Sequence, residues 1–327
     1  MIISQTPFRV SFFGGGTDFP EYYREHGGAV LATSIDHYCF LSLHRLGPFF
    51  KFRIKASYSR TEAVNHPREL EHPLIRESLL HLGVDEPLEI GHIADLPGRT
   101  GIGSSSSFTV GLLHALHALR GETVTPEDLA REAIEVERVR VRDSGGHQDQ
   151  YAAAYGGFMR LDFTARGVAV RRLALPAARL AALDARLMMF YTGVEQSAET
   201  IQAEQTRRVE HNLTALGELK AMVDEAQQLL ESTRDLDAFG DLLHQAWLRK
   251  RTLASGITNS TIDQAYEAAR SAGARGGKLL GAGGRGFLLL YAEPDRQAAV
   301  RQALGKLTEV DFRFGFEGSR IIFQQAE

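Results

Sequence analysis

Apolar and polar positions alternate in short blocks along this chain, and the blocks predict both strands and helices. Residues 1–13 carry apolar and β-branched side chains and predict a strand that runs into a triple glycine. Residues 87–94 (PLEIGHIA) predict another strand, ahead of a second glycine cluster. From Ser104 to Leu119, Phe108, Leu112, Leu116 and Leu119 recur three or four apart and predict a helix. Short apolar runs predict strands at 157–163, 186–192, 286–292 and 320–324. Thr125-Pro126-Glu127-Asp128 supplies a capping hydroxyl, a first-turn proline and early acids, so a helix starts there. Spaced leucines without proline from about Ser197 to Leu230 predict one long or broken helix, and another follows from about Asp235 to Ala254. Strands and helices mix too irregularly for a βαβ array, which predicts an α+β fold. A junction within 175–190 divides the chain into units of 1–185 and 186–327.

Length and composition then narrow the class. With 327 residues the chain suits about two domains and needs no disulfide or metal staple. Its charge of −4, from 37 basic and 41 acidic residues, gives no net positive field for a nucleic acid. Cys39 is the single cysteine, which excludes an intrachain disulfide and fits a reducing cytoplasm. No apolar run reaches the roughly 18–20 residues of a membrane span, and the start lacks the features of a signal peptide. A soluble cytoplasmic protein is expected. None of the 12 histidines forms an HExxH pair, so structural zinc is not expected either.

Many of the 32 glycines fall in three clusters, at 14–16, 98–103 and 276–286. The second, Leu96-Pro97-Gly98-Arg99-Thr100-Gly101-Ile102-Gly103-Ser104-Ser105-Ser106-Ser107, leads directly into the predicted helix. Glycines bring backbone N–H groups close to an anion, and a helix start adds unpaired donors. The loop reads as a triphosphate cradle or, more plainly, as a glycine turn with a serine cap. It is not a Walker A loop, because no lysine followed by Ser or Thr closes it. Further on, Glu137 and Asp149 flank a glycine turn and could supply the two carboxylates that phosphoryl transfer uses. Glu132 and Glu135 read as solvated acids, and His147 as a structural histidine.

These segments, in this order, resemble the GHMP kinases. Pro7-Phe8-Arg9-Val10-Ser11-Phe12-Phe13-Gly14-Gly15-Gly16-Thr17-Asp18 is similar to the amino-terminal motif, the 96–107 segment to the phosphate loop, and KLLGAGGRGF to the carboxy-terminal motif. Together with GHQDQYAAAYGG, the first motif is most similar to the D-glycero-D-manno-heptose 7-phosphate kinases, with the fucokinases nearby. The resemblance implies a two-domain fold, a domain like ribosomal protein S5 domain 2 followed by a ferredoxin-like domain, with ATP and sugar in the cleft.

It also implies roles. Asp149 matches the catalytic aspartate and Arg9 the basic residue beside it. Pro97, Gly98, Gly101, Gly103 and Ser104 to Ser107 would cradle ATP. Glu137 and Ser105 would hold Mg²⁺. Gly16, Thr17, Asp18 and Gly283 would contact the sugar. Gly15 and Gly16 replace the Glu-His of galactokinases, which speaks against galactose. The implied reaction phosphorylates the anomeric hydroxyl of the heptose 7-phosphate. Its alternatives are another sugar 1-kinase, for L-fucose or a mannose-like sugar, and a ligand-sensing relative without catalysis. Lys51, Arg53 and Lys55, or Arg140 and Arg142, would take a substrate phosphate. No membrane or nucleic-acid partner is expected, and a homodimer stays open.

Overall fold

The computed structural model describes residues 1–193 and 198–325. The first unit runs β1 (Ile2–Phe13), α1 (Pro20–His26), β2 (Gly28–Arg45), β3 (Ile54–Ser57), β4 (Thr61–Val64), α2 (Pro73–Leu82) and β5 (Leu88–Ala94). It continues with α3 (Ser104–Leu119), α4 (Pro126–Ile134), α5 (Gln148–Tyr155), β6 (Phe158–Thr164), β7 (Gly167–Arg172) and α6 (Ala177–Asp184). The second unit comprises β8 (Leu187–Tyr191), α7 (Ala198–Arg207), α8 (Leu213–Glu231), α9 (Asp237–Lys250) and α10 (Ser260–Ser271). After these come β9 (Gly276–Leu279), β10 (Phe287–Tyr291), α11 (Gln297–Ala303), β11 (Thr308–Glu309) and finally β12 (Arg320–Gln324).

Every predicted strand is present within a residue or two, and the fold is α+β as expected. The stretch expected from Ser197 is a broken helix, α7 then α8, although Ser197 itself lies outside the described residues. The long strand β2 went unpredicted, because its polar residues Thr33, Ser34, Asp36 and His37 interrupt the apolar pattern.

Among the described residues the first sheet has eight strands, ordered β12-β1-β2-β5-β3-β4, with β6 on β2 and β7 on β6. The second has four, ordered β11-β8-β10-β9, all antiparallel. That is strand–helices–strand–strand–helix–strand with the fourth strand beside the first, the ferredoxin-like arrangement. One expectation is corrected here. β12 does not stay with the second unit but pairs antiparallel with β1, and Phe314 bridges to Ile35. A boundary that assigns 186–327 wholly to one domain therefore fails at its C-terminal end.

The two units meet around aromatic side chains just behind the first glycine run. Phe12 packs on Phe158 and on Phe239 of α9, each with centroids 5.5 Å apart, and on Phe314 at 6.3 Å. From Thr6 to Phe13, β1 is buried at every position, since helices and sheet cover both its faces. Its register with β2 slips between Pro7 and Arg9, and the Arg9 amide donates to the Ile102 carbonyl at 3.0 Å. Such bulges re-aim side chains, and this one sits at a site residue.

Candidate active site

Arg9 and Asp149, 140 residues apart, form a two-pronged ion pair. Nε donates to Oδ1 at 2.8 Å and Nη2 to Oδ2 at 2.9 Å. The third guanidinium nitrogen, Nη1, donates to the Gly101 carbonyl at 2.5 Å. Arg9 thus fixes the carboxylate and the glycine loop to each other. The fork geometry of arginine suits this task better than a lysine would. The Arg9 side chain is 5% exposed, whereas Asp149 keeps 23%, so the carboxylate has a side open to the surface. Gly103 lies against both: a Cβ there would come within 3.2 Å of Arg9 Cγ and 3.7 Å of Asp149 Cγ.

In the loop, Pro97, Gly98 and Arg99 form an exposed lip, and Thr100 Oγ1 donates to the Pro97 carbonyl at 2.7 Å. The four serines divide the work. Ser104 Oγ accepts from the Arg99 amide at 2.9 Å and so shapes the turn. Ser106 Oγ donates to Glu137 Oε2 at 3.0 Å. Ser107 Oγ donates to the Pro7 carbonyl at 2.7 Å, 1% exposed. Ser107 is therefore corrected from ATP contact to an anchor between α3 and β1. Ser105 alone keeps a half-buried hydroxyl with no protein partner among the described residues.

The third glycine cluster supports the loop from behind. Gly101 (φ +83°) and Gly281 (φ +68°) touch backbone to backbone, such that a Cβ on Gly281 would lie 2.2 Å from the Gly101 Cα. No other residue fits either position. Gly283 instead packs on the Ile257 backbone, so its expected sugar contact is corrected to a packing role.

Glu137 sits where α4 widens into a π-helical turn, Val141 N donating to Val136 O at 2.9 Å. Such widened turns recur at functional sites. Its Oε2 accepts from Ser106 and from Gln150 Nε2 at 2.7 Å, while Oε1 is buried with no hydrogen-bond partner. Burial raises its pKa above the ordinary carboxylate value, against the pull of Arg138. A buried carboxylate oxygen without a hydrogen-bond partner is a donor that a hard cation, which prefers oxygen ligands, can use.

The first motif behaves differently from expectation. Thr17 is fully buried and its hydroxyl donates to the Gly14 and Ala29 carbonyls, so it is corrected from sugar contact to structural pin. Asp18, 1% exposed, accepts from the Gly16 amide at 3.0 Å and from the Gln148 amide at 3.2 Å and side chain at 3.0 Å. It caps the helix that carries Asp149, and it too is corrected from direct sugar contact. Burial raises its pKa, and the nearby Asp149 charge adds to the effect. Gly16 lines a small cavity with Gln205, Asn212 and Leu253. His147 is structural as expected: its Nδ1 meets the Tyr23 hydroxyl at 3.0 Å, and burial lowers its pKa to about 4.

Sequence reasoning missed two buried lysines. Lys278 Nζ donates to the Phe12 carbonyl at 2.8 Å, and Lys250 Nζ to Leu279 O at 3.0 Å and Gly281 O at 2.5 Å. The Arg249-Lys250-Arg251 run resembles solvated cations at a helix end. Yet Phe239, Leu243, Ala246 and Lys250 recur four, three and four apart, which places Lys250 on the buried face.

Comparison with known proteins fits this geometry. Residues 72–157 match the GHMP kinases N terminal domain and residues 210–309 the GHMP kinases C terminal. The chain belongs to the GHMP kinase family. This kinase is 27% identical to the Campylobacter jejuni D-glycero-alpha-D-manno-heptose 7-phosphate kinase, over 97% of each chain. It is 25% identical to the Arabidopsis thaliana bifunctional fucokinase/GDP-fucose pyrophosphorylase, covering 94% of this chain but 32% of that one. Its fold matches the crystal structure of a D-glycero-D-manno-heptose 1-phosphate kinase from Bacteroides thetaiotaomicron, with TM-score 0.82, 23% identity and complete coverage of both chains.

Proposed function

We propose that this kinase transfers the γ-phosphoryl group of ATP to the anomeric hydroxyl of D-glycero-D-manno-heptose 7-phosphate, yielding the 1,7-bisphosphate. The Arg9–Asp149 pair, tied to the glycine loop through Gly101, carries the reading. The amides at the start of α3 receive the phosphates, where the helix dipole favours negative charge. Asp149 accepts the proton of the sugar C1 hydroxyl as its oxygen bonds to the γ-phosphorus. The bond from phosphorus to the bridging oxygen breaks, and ADP leaves with that electron pair. Arg9 holds the carboxylate in one orientation throughout. Glu137 Oε1 and the Ser105 hydroxyl are the groups fitted to hold Mg²⁺, which when bound offsets charge on the phosphate oxygens.

The likeness to the Campylobacter jejuni enzyme along nearly its whole length supports the heptose phosphate as acceptor. A second reading, an unphosphorylated sugar, is favoured by the pairing of three of the five basic residues expected to take the substrate phosphate, Lys51 and Arg142 having no such partner among the described residues. Lys55 pairs with Glu89 at 2.6 Å, Arg53 with Asp85 at 3.6 Å, and Arg140 with Glu77 at 3.9 Å. Among the described residues no helix is long and apolar enough to cross a membrane. Mg²⁺-dependent ADP release across heptose 7-phosphate, mannose, fucose and galactose tests both readings. Turnover on the heptose 7-phosphate supports the first, and turnover only on a neutral sugar replaces it with the second.

A further inference from the structure

Lys250 carries an amine without a carboxylate partner in a place where a charge is costly. It is 7% exposed, and among the described residues its only hydrogen-bond partners are the Leu279 and Gly281 carbonyls. Those carbonyls belong to the hairpin whose Gly281 backbone touches Gly101 of the phosphate loop, and Gly101 O in turn holds Arg9. A continuous path of contacts therefore joins Lys250 to the loop and to the Arg9–Asp149 pair. The charged groups that act on Lys250 come from several elements, Arg9 of β1, Asp18 after it and Asp149 of α5; Lys278 of β9 also lies near, its own pKa pushed well below the ordinary lysine value by burial first and then by Lys250.

We propose that Lys250 belongs to the nucleotide site as a positioning residue: it takes up a proton when the triphosphate binds and, through the Leu279 and Gly281 carbonyls, fixes the hairpin on which the phosphate loop rests. The inference builds on the ATP reading above. A neutral amine has two N–H groups and a lone pair, so it satisfies both carbonyls as it stands. Protonation adds a third donor without breaking either bond. Burial and the Arg9 charge pull the pKa of Lys250 down to about 7, which leaves it largely neutral at mildly alkaline pH. A polyanion brought against the loop favours the charged form, because opposite charges interact strongly where water is excluded. The ammonium then grips both carbonyls more tightly, as charge-assisted hydrogen bonds do.

Titration calorimetry of the full chain with Mg²⁺-ATP at pH 8, in two buffers of different ionisation enthalpy, counts the protons exchanged. At that pH the terminal phosphate is already ionised, so uptake reports the protein. Wild type is expected to take up most of one proton. Lys250→Arg, whose guanidinium stays charged, is expected to bind ATP with that uptake abolished, and Lys278→Met to retain it. Lys250→Met is expected to weaken ATP binding at least ten-fold. ATP binding without proton uptake in wild type, undiminished uptake in Lys250→Arg, or its loss in Lys278→Met overturns the assignment while leaving the kinase reading in place. Failure of wild type to bind ATP at all overturns both.

Discussion

Ser106 and Glu137, 31 residues apart, meet at 3.0 Å, and their hydrogen bond leaves the other carboxylate oxygen of Glu137 buried and open. The pairing joins the first turn of α3 to the π-helical turn after α4. It holds one oxygen in a structural role, and the second is the one proposed above to hold Mg²⁺. Glu137→Gln keeps an oxygen for Ser106 and Gln150 but removes the negative charge. The expected outcome is turnover lowered by about 10²-fold or more, with the Mg²⁺ midpoint moved to higher concentration. Thermal stability should hold or rise, because the substitution removes a carboxylate that burial disfavours. A Mg²⁺ titration of initial rates, beside a melting curve, checks both halves.

Asp149→Asn keeps the size of the side chain, leaves Arg9 one acceptor oxygen in place of two, and removes the proposed proton acceptor. Turnover should fall by about 10²- to 10⁴-fold. ATP affinity should change little, since the amides of α3 proposed to receive the phosphates are untouched. Single-turnover rates and a binding isotherm on the same preparation separate the two; near-wild-type turnover would remove Asp149 from its role.

Gly281→Ala drives a methyl into the Gly101 backbone and forces a side chain onto a left-handed conformation. Strain of this kind costs about 1–3 kcal/mol even without the clash. The expected result is a lower melting temperature together with a raised KM for ATP. Gly83→Ala is the control: its backbone is also left-handed (φ +62°), but a Cβ there meets nothing within 4 Å. It should lose stability and leave the KM for ATP alone.

Acid should destabilise the protein through its buried histidines. Burial lowers the pKa of both His72 and His147 to about 4, from 6.5 when exposed. Between those values the unfolded chain binds more protons than the folded one, so stability falls as pH drops from about 6.5 towards 4. Asp18 and Glu137, whose pKa values burial raises, act in the opposite sense at the acid end. His147→Phe removes one titrating ring and should flatten the decline in melting temperature between pH 6.5 and 4.5. An unchanged slope would remove His147 as a contributor.

The parts of this site that lie close in sequence, or that glycine and serine mark chemically, were legible in advance. The start of α3, the strand leading to Arg9 and the hairpin around Gly281 all follow from local pattern and turn chemistry. The resemblance supplied the pairing of Arg9 with Asp149, and the geometry agrees with it. Pattern gives the type of a side chain but not its direction. Thr17 and Ser107 sit inside the expected motifs, yet each hydroxyl turns inward to a backbone carbonyl. Asp18 stands next to the glycines but acts through Gln148, 130 residues away. The return of β12 to β1 is a long-range pairing that no local signal encodes.

The identity of the phosphorylated atom tests the proposed reaction most directly. Phosphorus NMR of the product formed from ATP and D-glycero-D-manno-heptose 7-phosphate reads it without a coupling enzyme. We expect a new phosphate resonance coupled to the anomeric proton, rising with ADP and absent with Asp149→Asn. A phosphate on any other carbon, or ADP release that does not depend on the sugar, would contradict it.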